Sequence, residues 1–161
     1  MLAALLAAGS VAGAEAPRRP SEAGVVRPGA SVNGLELGAT EAQVRALWGE
    51  RFGRCRGCRG ETWYFNTRPF QPQGAGVELR DGRVVALFTL WQPPGWGTPE
   101  GLLLGDPVAR VTEVYGPMTR RECGGYYALV QPGDRVVTAY YVHRERLWGI
   151  AISRPAIPLC R

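Results

Sequence analysis

Four cysteines are the residues of this chain best suited to chemistry, and two of them stand as Cys55-Arg-Gly-Cys58. A Cys-x-x-Cys pair can be a redox couple, half of a zinc site, a haem anchor or a structural staple. A thioredoxin-type pair sits where a strand feeds a helix N-terminus, which lowers the thiolate pKa. Here the pair follows a helical pattern and precedes a strand pattern. Arg54, Arg56 and Arg59 would also lower a thiolate pKa, so a thiol-disulfide oxidoreductase using Cys55 and Cys58 stays among the readings. Zinc is commonly held by two such pairs, whereas Cys123 and Cys160 are widely separated. Haem attachment needs His directly after the second Cys, and Arg59 stands there. A staple fits best, with Cys55–Cys58 and Cys123–Cys160 as the preferred pairing and a Cys58–Cys123 bond as its rival. The single His143 rules out a multi-His metal site, carboxylates are sparse, and no phosphate-binding Gly motif occurs. The expectation is a non-enzyme without catalytic residues, metal or cofactor.

The elements that would carry these residues can be read from pattern. The chain has 161 residues and is 45% hydrophobic, enough for a packed core. All 19 basic residues are Arg, and the net charge of +5 is spread without a block of like charges. No basic stripe with interleaved aromatics marks a nucleic-acid partner. Residues 1–14 match the apolar region of a secretory signal peptide, with A-x-A sites at Ala12-Gly13-Ala14 and Ala14-Glu15-Ala16. The run is too short to span a bilayer. Four cysteines in an exported chain point to two disulfides and a secreted or cell-envelope, extracytoplasmic location. Residues 15–32 are rich in Pro, Gly, Ala and Ser and read as a disordered linker.

An internal repeat organises the chain from residue 33 onward. Residues 34–49, "GLELGATEAQVRALWG", align without gaps on residues 101–116, "GLLLGDPVARVTEVYG", with seven of sixteen positions identical. Thr40 with Gln43 forms a capping box, and Asp106 followed by Pro107 reads as an N-cap with Pro at the first helical position. Val44, Leu47 and Trp48 make one apolar helical stripe, repeated by Val111, Val114 and Tyr115. Gly49 and Gly116 then fit the C-terminal stop. Each helix precedes an aromatic strand (61–67, then 125–131) and a two-stranded segment (76–91, then 135–153), the first with Asp81-Gly82 as its turn. The expected class is therefore α+β, two tandem helix-plus-three-strand antiparallel units with the helices on one face of the sheet. The first unit spans 33–91, the inter-repeat loop 92–99, and the second unit, with a disulfide-tied tail, 100–161.

The run "LELGATEAQVRALWG", then "TWYF", then "GVELRDGRVVAL", resembles the small outer-membrane assembly lipoproteins of the SmpA/OmlA (BamE) type. The tandem arrangement is similar to the β-lactamase inhibitory protein. The resemblance implies a binding module with a concave sheet rather than a catalyst.

Aromatic residues supply the remaining functional material. Neighbours in a strand face opposite sides. One of each pair Tyr126/Tyr127 and Tyr140/Tyr141, and part of Trp63-Tyr64-Phe65, should therefore point away from the helices. Tyr64, Trp91, Trp96, Tyr127, Tyr141 and Trp148, with Arg56 on the cysteine loop, are the candidate partner-binding residues. Their expected role is non-catalytic binding of an unknown protein partner, inhibitor-like or assembly-like, through the open sheet face. A cell-envelope glycan or peptidoglycan module is the alternative.

Overall fold

The computed structural model describes residues 23–66, 68 and 71–161. The expected signal peptide at 1–14 lies outside them, as do residues 15–22 of the expected linker. Strands dominate. In chain order they are β1 (Gly24–Arg27), β2 (Ser31–Val32), β3 (Leu35–Glu36), β4 (Gly53–Arg54), β5 (Glu61–Asn66), β6 (Gly74–Arg80) and β7 (Arg83–Leu90). They continue as β8 (Trp96–Gly97), β9 (Thr119–Glu122), β10 (Tyr127–Gln131), β11 (Val137–His143) and β12 (Arg146–Ser153). Two helices, α1 (Glu41–Trp48) and α2 (Val108–Tyr115), have eight residues each.

One sheet has eight strands in the order β4-β5-β6-β7-β12-β11-β10-β9, and a second has four in the order β3-β2-β1-β8. This overturns the expected α+β class of two tandem helix-plus-three-strand units. Each half of the large sheet has four strands, because Gly53–Arg54 and Thr119–Glu122 add the outer edges. The small sheet draws on segments expected to be irregular. Within the expected linker, Val26 pairs with Val32 and both are fully buried. Within the expected inter-repeat loop, Trp96 pairs in parallel with Gly24. Two-to-four-residue strands are too short to carry a visible period, which is why composition alone read them as coil.

Local chemistry explains the main elements. The Thr40 Oγ1 accepts from the Gln43 N–H at 3.2 Å, and the Gln43 side chain accepts from the Thr40 N–H at 2.8 Å, closing the capping box of α1. α2 begins differently from the Asp106 cap read from sequence. Asp106 instead accepts from the Leu103 N–H at 2.9 Å, and the Val108 N–H reaches the Glu145 carbonyl of the β11–β12 turn at 3.0 Å. A tertiary acceptor thus replaces the side-chain cap. Asp81-Gly82 turns β6 into β7 with φ of 51° and 68°, both left-handed as a two-residue hairpin requires.

The large sheet has two apolar faces. On one, Trp63, Val77, Leu87, Tyr140, Ile150 and Ile152 pack with Val44 and Trp48 of α1, Val111 of α2 and the small sheet. On the other lie Phe88, Ala128, Ala139, Tyr141 and Ala151, with Tyr64, Tyr126 and Trp148 partly buried beside them. Leu87 is fully buried at the middle of the first face. Replacing it with Ala should lower unfolding free energy by about 2–5 kcal/mol, read from the urea-denaturation midpoint.

Candidate functional site

The second apolar face opens into a cleft of about 590 Å³. Its floor starts from Gly76, which pairs with Phe88 across β6 and β7. A Cβ at Gly76 would stand 2.5 Å from the Phe88 ring, so glycine is what lets the ring lie across the sheet. The Arg161 guanidinium sits 4.4 Å above that ring and donates to Glu78 at 2.9 Å. Arg80 binds the other Glu78 oxygen at 3.3 Å. Glu78 is buried, so both guanidiniums serve a carboxylate largely removed from water.

One wall is an interlocked set of rings. Trp148 packs edge-on against Trp91 at 5.2 Å and Tyr141 at 6.4 Å, and Tyr126 lies 5.2 Å from Trp148 and 5.8 Å from Tyr141. Trp91 is 50% exposed at the rim. It stands there because Trp91 and Gln92 both adopt left-handed backbone, φ 51° and 52°, where β7 ends. The Gln92 N–H donates to the Trp148 carbonyl at 2.8 Å, which ties this corner to β12. Side chains rarely take that conformation, so the corner is held by its contacts rather than by local preference.

The tail, residues 154–161, crosses this face. The Tyr141 hydroxyl donates to the Leu159 carbonyl. The Tyr126 hydroxyl donates to the Arg161 carbonyl and accepts from the Arg161 N–H, each at 2.7 Å. Cys160 is bonded to Cys123, and Cys55 to Cys58. Cys58 and Cys160 both line the cleft, so each disulfide anchors one of its margins. The Cys58 sulfur also lies 3.6 Å from the Tyr64 hydroxyl.

The structure sorts the candidate partner-binding residues. Tyr64, Trp91, Tyr141 and Trp148 come together around the cleft. Trp96 does not: it is fully buried over Gly24, where a Cβ would approach its ring to 2.5 Å. Tyr127 also points away, into the helix-side core, with Arg120 stacked 3.6 Å over its ring and its hydroxyl bonded to Glu145. Its neighbour Tyr126 takes the cleft position instead. The phase of the strand carried that signal, since Tyr127 is in step with the core residue Leu129. Arg56 is exposed at the loop tip, and Arg59 lines the cleft in its place. Arg80, Arg161, Glu78 and Phe88 had no motif to mark them; only tertiary pairing assembles them. Among the described residues no group of His, Cys, Asp and Glu is placed to hold a metal ion, and no helix is long and apolar enough to cross a membrane.

Burial raises the Tyr141 pKa to about 12, against the opposing pull of Arg161. Burial likewise raises the Tyr64 pKa, again opposed by Arg161. A phenol held neutral in the fold contributes stability that is complete below its unfolded pKa of 10.0 and is lost as pH rises through about 12. Stability should therefore fall over that window, and Tyr141→Phe should make the fall shallower, measured by denaturant unfolding across alkaline pH. Cys123 and Cys160 are 37 residues apart. Replacing both with Ser should lower stability by about 2–4 kcal/mol in the same measurement.

Neither a protein-family model nor a curated protein matches the chain. Solved structures share its fold. An extracellular protein containing an SCP domain from Bacillus anthracis superposes with a TM-score of 0.56 at 12% identity, over 94% of this chain and 50% of that one. A DUF4309 family protein from Bacillus subtilis superposes at 0.51 with 14% identity, over 76% of this chain and 84% of that one. A cysteine-rich secretory protein from Staphylococcus aureus superposes at 0.50 with 11% identity, over 85% of this chain and 49% of that one. The chain spans about half the length of the first and third of these proteins. These neighbours overturn the resemblance to SmpA/OmlA-type lipoproteins and to the β-lactamase inhibitory protein, and with it the tandem-repeat reading. At such identities the likeness is one of fold.

Proposed function

We propose that the chain is an extracytoplasmic, non-catalytic binding module that holds a segment of another protein in the cleft on the far face of its eight-stranded sheet. The half-exposed Trp91, wedged against Trp148 at the rim of an aromatic cleft, carries this reading. Trp is among the residue types most enriched at the energetically dominant positions of protein interfaces. Two disulfides support an oxidising compartment. Two of the structural neighbours are described as extracellular or secretory, and each is about twice the length of the stretch matched here.

The glycan reading is less well supported. Sugar rings stack on open aromatic faces, whereas Tyr126, Tyr141 and Trp148 turn edges to one another. A thiol-disulfide enzyme is also less well supported, because Cys55 and Cys58 lie between two strands without a helix N-terminus to stabilise a thiolate.

The test uses a photo-reactive benzoylphenylalanine in place of Trp91 or, as a control, of Leu103, which is 54% exposed. With extracellular protein from the source cells, Trp91 labelling should capture a protein that Leu103 labelling does not. Trp148→Ala should weaken binding of that protein by about tenfold or more. Equal capture from both positions, or from neither, would overturn the reading, as would catalysis by the protein of insulin reduction by dithiothreitol, in which dithiothreitol supplies the electrons.

A further inference from the structure

The charges around the cleft do not balance. Three of the side chains that line it are cationic, Arg59, Arg80 and Arg161, and one is anionic, Glu78. Arg80 and Arg161 each spend one contact on Glu78, one per oxygen. A guanidinium carries five N–H donors in a planar fork, so one carboxylate cannot satisfy two of them. The Arg161 side chain is 18% exposed and Glu78 9%, so that pair is largely out of water, while Arg80, 45% exposed, and the exposed Arg59 keep donors open toward the mouth of the cleft. Attraction between charges strengthens as water is excluded. Among the described residues Arg59 makes no ion pair, and it faces the cleft from the Cys55–Cys58 loop.

The apolar half of the site lies beside this charge. Phe88, under Arg161, shares the second apolar cluster with Tyr126, Tyr141 and Trp148, and Trp91 packs on Trp148. The volume of about 590 Å³ suits a few residues of an extended chain rather than a folded surface. Resting on the reading of the cleft as a protein-binding site, we propose that its occupant is an acidic peptide segment. An Asp or Glu carboxylate reaches Arg80, Arg161 and Arg59, and a neighbouring apolar or aromatic side chain packs against Trp91 and Trp148. The carboxylate supplies the acceptors that Glu78 alone does not. The tail is a fixed wall of this site, held by the Cys123–Cys160 bond and by Tyr126 and Tyr141.

The test is selection of a phage-displayed random heptapeptide library on the oxidised full chain, in parallel with Trp148→Ala, Arg80→Gln and Arg59→Gln. Near-ultraviolet circular dichroism checks that each variant is folded, and Arg59, on an exposed loop, serves if Arg80→Gln is not. The expected winners carry Asp or Glu beside an apolar or aromatic residue. Their binding is lost in Trp148→Ala and falls about tenfold in either Arg variant. It also weakens as salt is raised. Winners that depend on Trp148 but are neutral or rich in Arg and Lys would overturn the acidic assignment and leave the protein-binding reading standing. An absence of Trp148-dependent peptides, or Trp148-dependent binding of hyaluronan with no peptide binding, would overturn both.

Discussion

The structure depends on how β7 meets β12. Only three residue pairs, Ala151–Phe88, Ile152–Leu87 and Ser153–Ala86, make the ladder that joins the two halves of the eight-stranded sheet. Past them the Thr89 hydroxyl takes over, accepting the Ile150 N–H at 2.7 Å in place of a backbone carbonyl. Gly149 allows this, because a Cβ there would press within 3.0 Å of the Thr89 carbonyl. A buried hydroxyl that completes a ladder satisfies a donor that would otherwise be costly. Beyond it, β7 stays paired with β6 as far as Leu90, and the left-handed turn at Trp91 then places that ring at the rim. Both the continuity of the sheet and the mouth of the cleft are set at this seam.

Two-residue alternation governs the remainder of the sheet. A strand flanked on both sides needs an apolar residue at every position, and β6, β7, β11 and β12 have nearly that pattern. Helices and small sheet consume one face. The other is covered only in part, by a tail of eight residues and a short cysteine loop, and the uncovered remainder is the cleft. Glu78 sits where alternation puts a side chain on that second face, which is why a charged group is buried there at all. It is tolerated because Arg80 and Arg161 meet it.

Several features were legible from sequence because their causes are local. The Thr40–Gln43 box and the Asp81-Gly82 turn need only a few consecutive residues. The split of Tyr140 from Tyr141, and of Trp63 from Tyr64, needs only the strand period. What was missed depends on distant parts of the chain. The small sheet joins residues 24–36 to Trp96 and Gly97, segments whose Pro and Gly content reads as coil until a partner strand is present. The start of α2 rests on the Glu145 carbonyl, almost forty residues away. Trp96 looked like an anchor because nothing near it in sequence reveals the cavity above Gly24. The cleft itself joins β6, β12, the cysteine loop and the tail, and no single run of residues announces it. The family resemblance failed for a related reason: short Gly-bounded helices before aromatic strands are common to many sheets, and the motif does not specify how many strands are added at the edges.

The two disulfides differ in when they can close. Cys55 and Cys58 are neighbours along the chain and meet often in any unfolded ensemble. Cys123 and Cys160 meet only when residues on either side of β10, β11 and β12 are gathered, which requires the hairpins between them. Four thiols could pair in three ways. Once the short loop is oxidised, a single pairing remains, and it is the one that lays the tail across the sheet. If the short loop closes first, the bond that completes the wall of the cleft is the second to form, and the gathering of the strands between its cysteines precedes it.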